Sequence, residues 1–348
     1  MFSKSGSVSG KQKDPVRKNQ NDDLPPPYSA TPDDQQSRCF PDKKEKNQYE
    51  DRNPGEASGS SNNQYHHPTN LTPARSLGAA DGYKQIKEKD AFAALAAYDI
   101  VLLLDDSDSM ELTLDGNRLL VDEKNATGGQ KTRWKHLEMV VHQIAERIIP
   151  YDDDGIDIYF LKYKTADGND KFNINKADQV WKLFETVQPT GKGGTPTDDK
   201  ICAITKAYLD TYKQYLLGNI SIIKPMNISC ITDGQPNDYI NLTDIIKLTA
   251  RKLKALEDEH RANIGNRELR QLGIQFVQVG SDDEATKFLQ KLDTEFEKTP
   301  GNPYDIVDVF DYEQWLKNSS SGSTLSGEAL AKLLMGGIDP KWDTADEF

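Results

Sequence analysis

Residues 98–110, YDIVLLLDDSDSM, join a nearly continuous apolar run to a polar loop that is rich in oxygen-bearing side chains. The apolar part, residues 98–104, has the length and composition of a strand that is buried on both faces of a parallel sheet. The loop places Asp105, Ser107 and Ser109 at alternate positions, so their side chains can converge on one point. One carboxylate and two hydroxyls form an oxygen-only cradle that suits a hard divalent cation.

Strand and helix patterns alternate over the rest of the chain. The predicted helices cover residues 90–97, 134–148, 177–187, 242–260, 284–296 and 328–335, with another beginning after residue 199; the predicted strands cover 98–104, 155–163, 227–232, 273–279 and 305–310, with a short antiparallel edge strand at 171–174. This alternation predicts an α/β fold, Rossmann-like and doubly wound, with helices on both faces of a mostly parallel sheet. Ligands of such sheets bind beyond the carboxyl ends of the strands, where Asp105 and Asp233 both lie.

The first part of the chain differs from the rest in composition. Residues 1–80 are rich in Ser, Asn, Gln, Asp, Lys and Pro and lack apolar periodicity, so we predict a disordered tail. A helical lead-in at 81–97 then precedes a domain at 98–310. Residues 311–348 are predicted to form a carboxyl-terminal linker, helix and tail.

Charge and cysteine content exclude several classes of protein. The net charge of −13 and the scattered basic residues argue against nucleic-acid binding. The sequence has no apolar run of transmembrane length, and its first residues lack the apolar core of a signal peptide. Cys39, Cys202 and Cys230 are far apart and odd in number, which predicts reduced thiols. We therefore expect a soluble, cytoplasmic protein.

Three short motifs together resemble the von Willebrand factor type A domain. They are Asp105-x-Ser107-x-Ser109 after a strand, the stretch 194–197 (GTPT) before a helix, and the stretch 232–234 (TDG) at the end of a later strand. Their order matches the family, and the resemblance extends over residues 98–309. It implies the α/β fold predicted above and a metal-ion-dependent adhesion site.

The resemblance also implies a set of metal ligands. Ser107, Ser109 and Thr195 would bind the cation through hydroxyls, while Asp105 and Asp233 would approach it directly or through water. Hard oxygen donors favour Mg²⁺, with Mn²⁺ or Ca²⁺ as alternatives. The open coordination position would take an Asp or Glu carboxylate of a partner protein. The plainer alternative is that these side chains only cap backbone N–H groups in loops.

The chain departs from the family pattern in two places. Asp108 stands where a small residue usually separates the two serines, and the loop at 111–130 is longer than usual. If Asp108 turns inward, its charge should tighten cation binding; if it turns outward, it should do little.

A different alignment of the same loop suggests an enzyme. Asp106-x-Asp108 after an apolar strand resembles the first motif of haloacid dehalogenase-like phosphatases, with Asp106 as nucleophile and Asp108 as general acid and base. Asp282 and Asp283 would then supply magnesium ligands. This alternative leaves the stretch 194–197 and Asp233 without a role.

Residues 24–28, LPPPY, match the PPxY motif that WW domains bind. Consecutive prolines favour a polyproline II helix, so little entropy is lost on docking, and Tyr28 would anchor the contact. The residues in question are Pro25, Pro26 and Tyr28. By resemblance, such motifs recruit WW-containing ubiquitin ligases of the HECT type; the plainer alternative is a proline-rich spacer.

These observations together predict a non-enzymatic adaptor. Its tail would recruit a WW-domain protein, and its metal site would hold an acidic residue of a second partner. A structural subunit, in which the metal only stabilises the loops, is the remaining alternative.

Overall fold

The computed structural model describes Cys39 and residues 88–119, 132–152, 154–191, 194–264, 270–298, 305–318 and 325–339. The predicted PPxY residues Pro25, Pro26 and Tyr28 lie outside the described residues, as do residues 120–130 of the long loop. The helices are α1 (Glu88–Leu95), α2 (Arg133–Ile148), α3 (Asp178–Thr186), α4 (Thr197–Leu216), α5 (Tyr239–Glu259), α6 (Arg261–Ile264), α7 (Asp283–Lys298), α8 (Tyr312–Asn318) and α9 (Gly327–Met335); the strands are β1 (Asp99–Leu104), β2 (Ile156–Phe160), β3 (Lys171–Ile174), β4 (Met226–Thr232), β5 (Leu272–Gln278) and β6 (Val307–Asp311).

The strands form one six-stranded sheet in the order β3-β2-β1-β4-β5-β6. All neighbouring strands are parallel except β3, which pairs antiparallel with β2 at the edge. The predicted doubly wound, mostly parallel sheet is therefore confirmed, including its antiparallel edge strand. Strand order reverses between β1 and β4, which is the switch point at which such sheets bind ligands.

Continuous burial explains why the apolar runs form the central strands. Every residue of β4 and β5 is buried, and in β1 only Asp99 is partly exposed. Strands covered on both faces need apolar side chains at successive positions, because both sets face a layer of helices. The register sets Leu104 beside Ile231, so β1 and β4 end side by side.

Two layers of helices cover the sheet. Leu102, Leu104 and Phe160 face a core formed with α1, α2, α3 and α9, whereas Leu103 and Phe276 face a core formed with α4, α5 and α7. The helices α1 and α9, at the two ends of the described chain, thus belong to the same core as the central strands. In α9, the Leu334 carbonyl accepts a hydrogen bond from the buried side chain of Asn227 in β4.

The cysteines correct one prediction. Cys39 and Cys202 form a disulfide, with their Cα atoms 5.7 Å apart, and Cys230 is a buried free thiol. The prediction of three reduced thiols is therefore wrong, because the fold brings together two residues that are 163 positions apart in sequence. Disulfides persist in oxidising compartments. The cytoplasmic location stays a prediction and loses the support of the thiols.

Among the described segments, none of the helices combines the length and the apolar content needed to cross a bilayer.

Candidate metal site

Four of the five predicted ligands meet where β1 and β4 end. Asp105 follows β1 and Asp233 follows β4, and both carboxylates are buried. The backbone N–H of Asp105 donates to the carbonyl of Ile231 at 3.0 Å, so the ladder between the two strands continues into the site. The neighbouring strand ends therefore fix the positions of both carboxylates.

A continuous chain of hydrogen bonds joins four of the five predicted ligands. The Ser107 N–H donates to Asp105 Oδ1 at 2.8 Å, and the hydroxyls of Ser107 and Ser109 lie 2.8 Å apart. The Ser109 hydroxyl in turn donates to Asp233 Oδ1 at 2.8 Å. The alternate spacing in the loop thus brings the two serines and both carboxylates together, as the sequence predicts.

Thr232, the last residue of β4, holds the second oxygen of Asp105. Its hydroxyl donates to Asp105 Oδ2 at 2.7 Å. Both Asp105 oxygens therefore accept hydrogen bonds from the protein, which fixes the carboxylate at the base of the site. This arrangement favours contact between Asp105 and a cation through water, one of the two modes that the resemblance implies.

The fifth predicted ligand, Thr195, lies half-buried on the loop before α4. Asn237 holds this loop: its side-chain oxygen accepts from the Thr195 N–H at 2.8 Å, and its own N–H donates to the Thr195 carbonyl at 2.9 Å. Among the described residues, no hydrogen bond joins the Thr195 hydroxyl to the other four ligands. Sequence analysis missed Asn237, although its place three residues after the stretch 232–234 is a usable signal.

Glycine is required at position 194, beside the contact between Asn237 and Thr195. Gly194 has φ +63°, and a Cβ there would lie 2.2 Å from Asn237 Oδ1. A side chain at this position would therefore displace Asn237 as well as strain the backbone. The glycine of the stretch 194–197 thus has a structural reason beyond ordinary turn formation.

Arg133 is a charged residue of the site that sequence analysis missed. It is the first residue of α2, and its Nη1 donates to Asp233 Oδ2 at 2.6 Å. The side chains of Arg133 and Asp233 are 6% and 0% exposed, so this is a buried ion pair. A sequence signal did exist: Arg133 lies four residues before Leu137 and so continues the apolar face of the predicted helix.

Burial controls the electrostatics of the site. It raises the pKa of Asp233 above the ordinary aspartate value, and the nearby charge of Asp105 raises it further. Arg133 and the Ser109 hydroxyl oppose this rise by stabilising the ionised carboxylate. A cation bound between the two carboxylates would act in the same direction as Arg133.

Asp106 and Asp108 point away from the predicted ligands. Asp106 is fully buried, and its two oxygens accept backbone N–H groups of Lys162 at 2.9 Å and Tyr163 at 3.0 Å. Burial raises the pKa of Asp106. Asp108 turns outward, with its side chain 58% exposed and 3.8 Å from Arg118. The outward alternative for Asp108 therefore holds, and Asp106 anchors the loop after β2.

The donor set fits a hard divalent cation. Adjacent oxygens in an octahedral shell at the Mg–O distance of 2.0–2.1 Å are about 2.9 Å apart. The distance from the Ser109 hydroxyl oxygen is 2.8 Å both to the Ser107 hydroxyl oxygen and to Asp233 Oδ1, which is close to that requirement. Within the described residues, no group of three or more His, Cys, Asp or Glu side chains is arranged to hold a metal ion. The site has only two carboxylates, and hydroxyls make up the rest.

Comparisons with solved structures show distant similarity. The PilB minor pilin from Streptococcus sanguinis is 13% identical with a TM-score of 0.32; the match covers 68% of this chain and 59% of the pilin chain. The manganese-loaded Plasmodium vivax TRAP protein is 14% identical with a TM-score of 0.30, covering 63% of this chain and 70% of that one. No protein-family model and no curated protein matches the sequence. At these values the site rests on the geometry of this chain alone.

Proposed function

We propose that this chain is a von Willebrand factor type A domain protein with a divalent-cation site formed by Asp105, Ser107, Ser109, Thr195 and Asp233. The observation that carries the proposal is the chain of donor oxygens at the switch point of the sheet. Oxygen ligands with several neutral hydroxyls suit Mg²⁺, and Mn²⁺ or Ca²⁺ could replace it. When bound, the cation would supply a positive charge with a coordination position open to an outside ligand.

The residues of the chain divide the work of forming this site. Thr232 and the Ser107 N–H hold Asp105, while Asn237 holds the Thr195 loop against the loop after β4. These contacts arrange the donors before any cation arrives, which lowers the entropy lost on binding. An acidic side chain of a partner protein is the expected occupant of the open position.

The proposal is an adaptor and includes no enzymatic activity. A phosphatase nucleophile needs a carboxylate oxygen that can reach a phosphorus atom. Both oxygens of Asp106 instead accept backbone N–H groups inside the protein. Asp282, offered as a magnesium ligand in that alternative, accepts the Ala285 N–H at 2.8 Å at the start of α7.

Metal binding is tested by thermal unfolding with each cation and with EDTA. Saturating Mg²⁺ at about 100 times its Kd should stabilise the wild type by about 2.7 kcal/mol. The variant Ser109→Ala loses a central donor and should lose this stabilisation. Ser281→Ala removes an exposed serine whose hydroxyl donates only to the Leu114 carbonyl, and it is the matched control. An equal response of the two variants would contradict the proposed site.

Partner recognition is tested by capture on the immobilised full chain. A protein bound through the metal should be retained in Mg²⁺, be released by EDTA, and not be captured by Ser109→Ala. If EDTA lowers the melting temperature but releases no partner, the cation only stabilises the rim loops, and the structural-subunit alternative replaces the adaptor.

The tail carries the second half of the proposal. We infer that Pro25, Pro26 and Tyr28 dock in the aromatic groove of a WW domain, as found in HECT ubiquitin ligases. The support is the sequence motif alone. Titration of the full chain with an isolated WW domain should show binding that Tyr28→Ala abolishes. Tyr49→Ala, another tyrosine of the tail, should bind like the wild type; unchanged binding by Tyr28→Ala would refute the motif.

A further inference from the structure

We propose that Arg133 is a positioning residue of the rim site, which orients the Asp233 carboxylate toward the serines and lowers the affinity of the site for a divalent cation. This inference rests on the proposed metal binding. It concerns a residue outside the motifs that suggested the site.

The two carboxylate oxygens of Asp233 are shared between Arg133 and Ser109. Oδ2 accepts from Arg133 at 2.6 Å, and Oδ1 accepts from Ser109 at 2.8 Å. The guanidinium therefore occupies one oxygen and leaves the other directed at the hydroxyls. A cation among the serines would meet Oδ1 without displacing Arg133, because the two positive groups lie against different oxygens.

The protein leaves a specific space for the Arg133 guanidinium. Gly280 has φ +92°, and a Cβ there would lie 2.4 Å from Arg133 Nε and 2.7 Å from its Cζ. Gly116 borders the same guanidinium, with its Cβ position 3.7 Å from Nη2. A side chain at position 280 would therefore occupy the space through which Arg133 reaches Asp233.

The placement of Arg133 beside Asp233 has a cost in free energy. Its Nε is buried and has no hydrogen-bond partner among the described residues. A buried N–H without an acceptor is unfavourable, so the ion pair with Asp233 must outweigh it. Glu313, whose Oε1 accepts from the Gly280 N–H at 3.3 Å, adds a second buried acidic side chain near the guanidinium.

Charge then gives the direction of the effect. Asp105 and Asp233 bring two negative charges to the site, and Arg133 offsets one of them. With a divalent cation bound, the charges of Asp105, Asp233, Arg133 and the cation sum to one positive charge, which attracts a partner carboxylate. Without Arg133 the same site would be neutral when loaded. Loss of Arg133 should therefore tighten cation binding and weaken partner binding, two changes in opposite directions.

The test is calorimetric titration of the full chain with Mg²⁺ and with Mn²⁺. Arg133→Gln keeps a donor for Asp233 without the charge, and it should lower the cation Kd about tenfold or more. Arg133→Lys keeps the charge and should stay within about threefold of the wild type. The matched control is Arg118→Gln, which removes a 70% exposed arginine from the same rim and should leave Kd unchanged.

A second measurement covers a variant that is unstable without metal. A cation that binds only the folded chain raises the melting temperature, and at a given concentration the rise is larger when binding is tighter. Arg133→Gln should thus melt lower than the wild type in EDTA and gain more from each addition of Mg²⁺. If the wild type binds Mg²⁺ and the Arg133→Gln variant binds it equally well or more weakly, this inference alone is overturned. If neither protein responds to any cation, the proposed metal site itself fails.

Discussion

At the scale of single residues, Gly280 shows how a position far from the sequence motifs controls the site. Its backbone adopts φ +92° and it borders the guanidinium of Arg133. Positive φ is strained for any residue with a Cβ, and the close approach adds a steric clash with a buried ion pair. The two effects can be separated by comparison with another glycine of similar φ.

We predict that Gly280→Ala lowers the free energy of unfolding by more than about 2 kcal/mol, because it combines backbone strain with displacement of Arg133. Gly168→Ala is the matched control: its φ is +85°, but no atom lies within 4 Å of the added Cβ. That variant should lose only about 1 kcal/mol. Urea unfolding of both variants measures the difference, and equal losses would show that Arg133 moves aside freely.

At the scale of secondary-structure elements, α9 is the least expected part of the core. The sequence predicts its helix correctly but places it in a carboxyl-terminal segment with a linker and a tail. In the structure, the N–H of Gly337, just after α9, donates to the buried side chain of Gln275 at 3.0 Å. Helical periodicity identifies an apolar face without identifying which strands that face will contact.

We predict that Leu334→Ala, in α9, lowers the free energy of unfolding by about 2–5 kcal/mol. The Leu334 side chain is fully buried in the core on this face of the sheet, so the substitution leaves a cavity there. Leu217→Ala, at a position that is 50% exposed, should change stability by less than about 0.5 kcal/mol. Denaturant midpoints compare the two, and a small effect at Leu334 would mean that α9 is not part of the cooperative core.

The same distinction between local and distant information explains what sequence analysis could predict. The alternating apolar runs predicted the strands and most helices because the strand and helix periods are local properties. The motifs predicted Asp105, Ser107, Ser109 and Asp233 at one edge of the sheet, because each motif follows a strand that its local pattern identifies. Arg133 and Asn237 belong to none of these motifs, so their contacts with Asp233 and Thr195 could not be predicted in this way.

At the scale of the whole molecule, the disulfide links the first part of the chain to helix α4. Cys230 is buried inside the sheet, and burial raises the pKa of its thiol, so it should react slowly in the folded protein. The two disulfide-bonded cysteines and the free Cys230 should therefore differ in chemical labelling.

We predict that alkylation without reductant labels one cysteine, Cys230, once the protein is unfolded in denaturant, and almost none in the native state. Reduction before alkylation of the unfolded protein should allow all three cysteines to be labelled. Mass spectrometry of the labelled peptides measures each site. Labelling of Cys39 and Cys202 in denaturant without reductant would show that the disulfide does not form and would restore the prediction of reduced thiols.

The link between Cys39 and α4 also acts as a tether of limited length. Tyr28 precedes Cys39 by about 11 positions, and a fully extended chain of that length spans no more than about 40 Å. A protein docked at Tyr28 would therefore stay within that radius of α4, whose first residue lies two positions after Thr195. Reduction of the disulfide would separate Cys39 from Cys202 and remove this upper limit on the distance between Tyr28 and α4.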